Sequence, residues 1–338
     1  MSVLSEDPLI INYANENNFS EAARTLFIRQ KDEWEMLAAG VESLKTVKVK
    51  SFQFGGFSIK AQFNPGRMTS TSAKVDDQSI LERKCFLCSE NLPDGQKGVL
   101  YHDEYIILCN PFPIFPVHFT LAHEKHKPQR IIDTFPYLLD LSRDLSEHYS
   151  VIYNGPRCGA SAPDHLHFQA GNKLFMPIDE EFHLIKNEYG SEILDEKDDL
   201  VYAVDDGLRK FITIESTDYS FILKVFNIFY SVYSELVNAQ EEPLMNLISF
   251  YESEYGWRII IFLREKHRST HYYKQGDEQI LMSPAAIDLG GMCIFPRETD
   301  FENVTKENIE EIFKEVFVTK EILDKIQQKM IIRLKEDS

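Results

Sequence analysis

The segment YNGPRCGASAPDHLHFQ, residues 153–169, constrains this chain more than any other part of its sequence. Its end alternates polar and apolar residues, with His165, His167 and Gln169 at every second position. Such alternation is typical of a strand, on which these three side chains share one face. The small residues of the preceding loop allow backbone N–H groups to approach an anion closely. The segment therefore predicts a strand that presents two imidazoles beside an anion-binding loop.

His167 is the candidate nucleophile of this strand. A neutral imidazole can attack a phosphorus atom near pH 7 and carry the transferred group as a covalent intermediate. The groups that could stabilise the developing charge or hold the substrate are Ser161, Gly159, Ala160, Gln169 and Asn154. The spacing of the two histidines also suits a structural metal pair or a satisfied core histidine, so the pattern alone leaves these alternatives open.

A second motif, Cys85-Phe-Leu-Cys88, offers two thiolates within one turn of chain. Such a pair commonly provides half of a tetrahedral zinc site, and distant histidines complete it. His126 ends one predicted strand and His165 begins another, so both could reach a shared point. Other histidine candidates are His102, His118 and His123. The motif predicts a closed, structural zinc site, with a pair of unliganded thiols as the alternative.

The densest positive patch of the chain follows a predicted buried strand and spans residues 264–268. Arg67 and Lys74 are a second source of positive charge. Such side chains could neutralise a phosphate, and a solvated loop is the alternative. The residues that we expect to bind substrate through their charge are Arg67, Lys74, Arg264, Lys266 and Arg268.

The composition excludes some partners. A net charge of -18 argues against a general binder of nucleic acid or of membrane surfaces. No window has the roughly 20 apolar residues that a membrane helix needs, and we see no signal peptide. Five cysteines, an odd number, predict reduced thiols and hence a cytoplasmic location.

Apolar periodicity predicts a chain of mixed secondary structure. Predicted helices cover residues 20–40, a segment capped by Asp133, residues 222–233 and a final segment capped near Thr305. Predicted strands cover residues 47–63 as a hairpin, 99–109, 117–122, 149–154, 165–170 and 257–263. We expect a loop over residues 67–84 and a boundary between two parts of the chain in the acidic stretch 186–200. The stretch FTLAHEKH at residue 119 is echoed by IIFLREKH at residue 260, which suggests a duplication or a coincidence.

The pattern GASxPxHxHxQ, the preceding Cys-x-x-Cys and a strand ending in Lys-His resemble the transferase branch of the histidine-triad superfamily. That branch includes galactose-1-phosphate uridylyltransferase, diadenosine tetraphosphate phosphorylase and GDP-hexose phosphorylase. QFNPGR at residues 62–67 and SPAAIDLGG at residues 283–291 resemble its phosphorylase-type members. The resemblance implies an α+β fold, a histidine-triad-like antiparallel sheet with flanking helices, built from two fused halves. We expect a helical extension over residues 1–50, a catalytic half over 51–190 and a second half over 191–338.

The same resemblance implies the roles of individual residues. His167 would be the nucleophile, Gln169 would contact the transferred phosphate, and the Ser161 hydroxyl would bind phosphate. The implied zinc ligands are Cys85, Cys88, His126 and His165.

The implied activity is that of a nucleotidyltransferase of the phosphorylase type. It would take a nucleoside monophosphate from a nucleoside diphosphate sugar or a dinucleoside polyphosphate and hand it to phosphate. A neutral amide at Gln169 only donates and accepts hydrogen bonds, which favours transfer to phosphate over transfer to water. Leu166 and Asp164 depart from the residues common in relatives, so the substrate stays open. The alternatives are a sugar-1-phosphate uridylyltransferase and a zinc-stabilised nucleotide-binding protein without turnover. We expect a monomer or a homodimer.

Overall fold

The computed structural model describes residues 18–71 and 76–336 of the chain. Its strands are β1 (Lys48–Gln53), β2 (Ser58–Phe63), β3 (Gly98–Tyr101), β4 (Tyr105–Cys109), β5 (His118–His123), β6 (Tyr149–Asn154), β7 (His167–Asn172), β8 (Gly190–Glu196), β9 (Asp199–Asp205), β10 (Lys210–Ser216), β11 (Met245–Glu252), β12 (Gly256–Leu263) and β13 (Met292–Phe295). Its α-helices are α1 (Phe19–Glu33), α2 (Glu35–Ser43), α3 (Met68–Thr71), α4 (Asp77–Glu82), α5 (Phe135–Asp144), α6 (Pro177–Tyr189), α7 (Tyr219–Leu236), α8 (Thr270–Tyr273), α9 (Ala286–Leu289), α10 (Glu298–Asn303), α11 (Lys306–Val316) and α12 (Lys320–Glu336).

Ten strands form one antiparallel sheet in the order β3-β4-β5-β7-β6-β11-β12-β10-β9-β8. Read inward from each edge, the two halves of this sheet have the same topology, with three consecutive strands followed by the fifth and then the fourth. The halves meet where Asn154 of β6 pairs with Asn246 of β11. The predicted α+β class with an antiparallel sheet and flanking helices is confirmed, and the topology agrees with two fused halves.

Alternate residues of the strands supply two apolar cores, one on each face of the sheet. On one face Phe168 of β7 and Leu247 of β11 pack in a cluster with the apolar sides of α1, α5, α7 and α12. On the other face Ile152 of β6 and Ile248 of β11 pack with α6, α9 and α11. The sheet is therefore covered on both faces. No helix among residues 18–71 and 76–336 is long and apolar enough to cross a bilayer.

A smaller sheet links distant parts of the chain and interrupts a simple division into halves. β2 pairs with β1 in antiparallel and with β13 in parallel. Because β13 follows the segment 283–291 directly, this pairing brings the QFNPGR and SPAAIDLGG segments into the same region. Strand β2 thus packs against β13 and α10 as well as against α6.

Two stretches that the sequence described only coarsely have a defined secondary structure. The acidic stretch 186–200 contains the end of α6 and all of β8, which pairs with β9. β8 is an edge strand, and charged side chains on an edge strand prevent it from pairing with other chains. The same acidic composition is typical of a linker. Residues 98–109 form two strands instead of one, because His102 and Asp103 turn the chain with φ of 48° and 56°.

Capping explains where several helices begin. Thr305 caps α11 as predicted, with its hydroxyl accepting a hydrogen bond from the Asn308 N–H at 3.2 Å. Asn18 caps the first helix, and its side chain accepts from the Glu21 N–H at 3.0 Å. The predicted loop at 67–84 contains the short helices α3 and α4.

The echo between residues 119–126 and 260–267 does not reflect a duplicated element. Its first copy lies on β5, the third strand from one edge, whereas its second copy lies on β12, the fourth strand from the other edge. The topological counterpart of β7 is β12, whose sequence GWRIIIFL contains no histidine or glutamine. Within the described part of the chain, only the first half carries the His-x-Gln pair on this strand.

Candidate active site

Strand β7 holds His167 and Gln169 at the bottom of a cleft. It pairs with β5 on one side and with β6 on the other, so its backbone is fixed along both edges. His167 is only 3% exposed, yet it lines a cavity together with Gln169, as their alternate positions predict. His165 precedes the strand instead of beginning it. The His167 side chain therefore faces the cavity, whereas the His165 side chain faces the thiol of Cys85.

Hydrogen bonds fix the orientation and the tautomer of the His167 ring. Its Nδ1–H donates to the His165 carbonyl at 2.8 Å, and its backbone N–H donates to the Gln129 Oε1 at 2.8 Å. Burial lowers the pKa of the His167 imidazole to about 4, so the ring is neutral at pH 7. With the proton on Nδ1, the lone pair belongs to Nε2, the atom that a nucleophilic role requires.

The cavity beside His167 is mainly apolar and has a volume of about 520 Å³. Two aromatic side chains in its lining, Phe86 and Phe112, are 44% and 47% exposed. Large exposed rings next to an apolar hollow suit the stacking of a flat heterocycle. Further apolar lining residues are Met36, Leu87, Leu92, Pro93, Leu108 and Pro111.

A smaller, polar cavity of about 60 Å³ adjoins the first one. Both cavities are lined by Arg67, Ser161 and Gln169, so these three side chains mark the junction. The remaining polar lining of the small cavity comes from Thr71, Asn154, His267, Arg268, Ser283 and Asp288. The apolar cavity, with His167 in its wall, and the polar cavity thus lie side by side.

The loop before β7 forms one wall of the polar cavity. Gly159 and Ala160, two of the expected substrate-binding residues, line it, and Gly159 has φ +94°, a conformation that other residues rarely adopt. A Cβ atom on Gly159 would also lie 2.6 Å from the Cβ of Ala285. The Asn246 side-chain amide donates to the Cys158 carbonyl at 2.6 Å and to the Asn154 Oδ1 at 2.8 Å. Residues of the second half therefore hold the loop in place.

Two arginines bring positive charge to the cavities. Arg67 donates to the Phe112 carbonyl at 2.7 Å, and burial lowers the pKa of its guanidinium to about 10, which leaves it charged at pH 7. Arg268 donates from Nε to the Ser283 hydroxyl at 2.8 Å, and its guanidinium carbon lies 4.0 Å from the centre of the Tyr272 ring. Lys74, the other predicted cation, lies outside the described residues.

The polar cavity also contains two titratable groups that the sequence reasoning did not select. Burial raises the pKa of the Asp288 carboxyl to about 6, and this group accepts the backbone N–H groups of Ala285 and Ile294, both at 2.8 Å. Burial lowers the pKa of the His267 imidazole to about 3, so it is neutral. His267 belongs to the basic patch 264–268, and Asp288 belongs to the SPAAIDLGG segment. In contrast, no motif in the sequence points to Gln129 or Asn246.

Arg264 and Lys266 do not occupy the substrate-binding positions predicted for them. Neither residue lines either cavity. Arg264 is 1% exposed, and all five of its N–H groups donate to protein oxygens. Lys266 is exposed, and its ammonium lies 4.0 Å from Glu315. The density of positive charge in the sequence was misleading because Arg264 points into the protein, where it supports Asn246 through a 2.6 Å hydrogen bond.

We expect Arg264→Lys to lower the free energy of unfolding by about 3 kcal/mol, because a lysine cannot satisfy the buried acceptors that the guanidinium satisfies. Denaturant unfolding of the full chain measures this change. Lys266→Met, two residues away and exposed, is the matched control and should change the free energy by less than about 0.5 kcal/mol. A stable Arg264→Lys protein with a selective loss of substrate affinity would return Arg264 to the substrate site.

The four predicted metal ligands come together on the other side of the His-x-His segment. The ligand atoms of Cys85, Cys88, His126 and His165 all lie within 4.8 Å of one another. The Cys85 Sγ is 3.2 Å from His165 Nδ1, and the Cys88 Sγ is 3.3 Å from His126 Nδ1. Tetrahedral sites with bonds of about 2.0–2.3 Å separate their ligand atoms by about 3.6 Å, so this donor set fits a metal ion.

Neighbouring groups orient both imidazoles of this cluster. The His165 Nε2–H donates to the His123 carbonyl at 2.7 Å, which turns the Nδ1 lone pair toward the thiols. The Asp164 carboxylate lies 3.8 Å from His126 Nε2 and forms an ion pair with Arg83. Such outer partners are usual at metal-binding histidines. Because the His165 carbonyl also accepts from His167, the cluster and the nucleophile candidate share one residue.

Comparisons with known proteins identify two matched segments. Residues 26–172 match the family described as a domain of unknown function, DUF4922. Residues 216–337 match the family described as the GDPGP1-like, C-terminal domain. No curated protein matches the chain in a sequence comparison.

Solved structures with a similar fold include yeast Ap4A phosphorylase Apa2. One structure of that protein matches with a TM-score of 0.60 and 14% identity over 89% of this chain and 97% of Apa2. Its complex with AMP matches with a TM-score of 0.57 and 14% identity, covering 88% and 95% of the two chains. Its complex with Ap4A matches with a TM-score of 0.56 and 14% identity, covering 91% and 98%. These likenesses extend over both halves of the fold.

Proposed function

We propose that this chain belongs to the transferase branch of the histidine-triad superfamily and is a nucleotidyltransferase of the phosphorylase type. It carries a nucleoside monophosphate on His167 between a donor and inorganic phosphate. The observation that carries this proposal is the placement of His167, whose Nδ1 is committed to a carbonyl and whose ring lines a cavity beside Gln169 and Ser161. The similar fold of yeast Ap4A phosphorylase and the GDPGP1-like match support it.

The reaction proceeds in two displacements. The Nε2 lone pair of His167 attacks the α-phosphorus, and the bond from that phosphorus to the bridging oxygen breaks, so the leaving phosphate departs with the electron pair. The His165 carbonyl stabilises the charge that develops on the ring through Nδ1–H. An oxygen of inorganic phosphate then attacks the same phosphorus, the phosphorus–nitrogen bond breaks, and the ring returns to its neutral form.

The two cavities divide the donor substrate between them. The apolar cavity takes the nucleoside, with Phe86 and Phe112 as stacking surfaces for the base. The polar cavity takes the phosphate of the leaving group that adjoins the α-phosphate, and then the inorganic phosphate that accepts the nucleotide, next to Arg268. The α-phosphate lies at the junction, where Arg67, Ser161 and Gln169 supply donors. The donor is a dinucleoside polyphosphate or a nucleoside diphosphate sugar; Ap4A and AMP are ligands of the yeast protein with the similar fold.

The metal of the Cys/His cluster is zinc in this proposal. Two thiolates and two imidazoles are the ligands of a closed, structural zinc site, and such a site leaves no position for water. The zinc would stabilise the segment before β7 and would supply no chemistry to the transfer. The five cysteines are all unpaired thiols, as in a reducing compartment, and we place the enzyme in the cytoplasm.

Intact-mass analysis tests the proposal directly. The full chain is incubated with Ap4A and with ADP-, GDP- and UDP-glucose, each in the absence of phosphate. We expect the mass to increase by one nucleoside monophosphate with at least one donor, and addition of phosphate should release it as a nucleoside diphosphate. Binding of these nucleotides without any adduct would identify the chain as a nucleotide-binding protein. Release by glucose 1-phosphate, and not by phosphate, would identify a uridylyltransferase-type acceptor.

We expect Arg268→Ala to raise the Michaelis constant for phosphate by about tenfold or more, because a charge-assisted hydrogen bond contributes roughly 1.5–3 kcal/mol. Formation of the adduct from the donor should change less. Steady-state and single-turnover kinetics separate the two effects. Arg333→Ala, on the exposed side of α12, is the matched control. An unchanged Michaelis constant would remove Arg268 from the acceptor site.

A further inference from the structure

The amide of Gln169 has two different ends, and only one of them is useful beside a phosphate. Its NH2 group donates hydrogen bonds, whereas its carbonyl oxygen only accepts them and would face the anion unfavourably. Gln169 lines both cavities, so the amide stands where the transferred phosphate passes. A neighbouring group must therefore fix which end of the Gln169 amide faces the cavity.

His118 on the neighbouring strand β5 contacts this amide. Its Nε2 lies 2.9 Å from the Gln169 Oε1, and the side chain is fully buried. It lines neither cavity, and the proposed mechanism does not use it. A buried imidazole next to a catalytic amide therefore needs an explanation of its own.

The other nitrogen of His118 determines the direction of that hydrogen bond. The backbone N–H of Ile114 donates to His118 Nδ1 at 3.2 Å. A backbone N–H can only donate, so Nδ1 must be the acceptor and carries no proton. Burial and the nearby Arg67 lower the pKa of the imidazole to about 3, so the ring is neutral and its single proton is on Nε2. The Nε2–H consequently donates to Gln169, whose contacting atom must be the carbonyl oxygen.

We propose that His118 is a positioning residue, which holds the Gln169 carbonyl through Nε2–H and so keeps the amide NH2 group directed toward the transferred phosphate. This inference rests on the proposed function of the site. The two hydrogen bonds that lead to the Gln169 amide begin at Ile114, in the NPFPIFP segment of residues 110–116. Arg67 donates to the carbonyl of Phe112 and Asn64 donates at 3.1 Å to the carbonyl of Pro113 in that segment. The NPFPIFP segment thus lines part of the apolar cavity and also fixes, through His118, which end of the Gln169 amide faces the phosphate.

Two substitutions of His118 separate its two hydrogen bonds. An asparagine places its amide near the position of Nδ1, so His118→Asn keeps an acceptor for Ile114 and loses the contact with Gln169. A glutamine reaches the position of Nε2, so His118→Gln keeps a donor for Gln169 and abandons Ile114. Each variant loses one bond, which makes their stabilities comparable, and thermal unfolding verifies this. We expect His118→Asn to slow adduct formation from Ap4A or GDP-glucose about tenfold, and His118→Gln to slow it less than about threefold.

A double-substitution cycle identifies the route of the effect. In a Gln169→Ala background the change His118→Asn should cause no further loss in the rate of adduct formation, because the group that it orients is gone. Independent losses in the two variants would overturn the proposal. A larger loss in the rate of adduct formation for His118→Gln than for His118→Asn would also overturn it. That result would show that His118 acts by holding the segment of residues 110–116 through Ile114.

The tautomer gives a readout that does not depend on turnover. Nitrogen-15 NMR of the full chain should show His118 protonated at Nε2 and unprotonated at Nδ1. A proton on Nδ1 would overturn the inference whatever the kinetics. If the unsubstituted chain forms no adduct with Ap4A or with ADP-, GDP- or UDP-glucose, the proposed function fails, and the NMR spectrum still decides the orientation of the amide.

Discussion

Replacing His167 by glutamine should abolish formation of the covalent adduct and lower kcat by about 10⁴-fold or more, the usual cost of removing a nucleophile. Glutamine is similar in size and polar, but its amide nitrogen has no lone pair available for attack on phosphorus. Because the ring is 3% exposed and packed on a central strand, we compare the stability of the variant by denaturant unfolding as well. Intact-mass analysis and single-turnover kinetics with the donor that labels the unsubstituted chain measure the effect.

His183→Gln is the matched control for this experiment. His183 lies on the exposed side of α6, where its Nε2 is 2.8 Å from Arg258, and it lines neither cavity. The control should retain both the adduct and the rate. Activity of His167→Gln above one tenth of the original, or an adduct mapped by peptide sequencing to another residue, would contradict the role given to His167.

Loss of the metal should be the largest perturbation of stability. We expect about one zinc per purified chain, and we expect Cys88→Ser to lose that zinc and to lower the free energy of unfolding by about 5 kcal/mol. Structural zinc contributes roughly 10–16 kcal/mol in small zinc domains, and only part of that applies to a chain with large cores. Metal analysis and denaturant unfolding measure the two quantities. Because the His165 carbonyl holds the His167 ring, adduct formation should slow in the same variant.

Cys158→Ala controls for the removal of a thiol. Cys158 is fully buried and stands outside the metal cluster, so its loss should leave the zinc content unchanged. A chain purified under reducing conditions with much less than one zinc would contradict the metal site. Full stability of Cys88→Ser without zinc would show that the thiols and imidazoles hold the segment without an ion.

Local patterns in the sequence were sufficient where the chemistry depends on neighbours along one strand. Alternation in 165–169 placed His167 and Gln169 on one face, with Leu166 and Phe168 in the core behind them, but wrongly included His165, which precedes the strand and faces the thiols. The Cys-x-x-Cys spacing and two histidines at strand ends predicted a cluster whose atoms the fold does bring together. The edge strand β8 was missed, because its acidic side chains give it the composition of a linker.

Positive charge in the sequence was a poor guide to the anion site. Arg264 and Arg268 are four positions apart in one basic patch, yet only Arg268 lines the polar cavity. Whether an arginine faces a substrate or a set of carbonyl groups depends on the packing of elements distant along the chain. Here α11, the segment around Pro284 and β11 supply the acceptors that draw Arg264 inward.

The sequence by itself determined which residues can perform the chemistry, because strand alternation and the spacing of metal ligands are properties of a few consecutive residues. Tertiary structure alone decided the orientation, the protonation and the surroundings of those side chains. The burial that keeps the His167 ring neutral, the contact between His118 and Gln169 and the two adjoining cavities all arise from long-range pairing. Burial and hydrogen-bond partners set the protonation of an imidazole and the polarity of an amide, and both depend on which strands become neighbours.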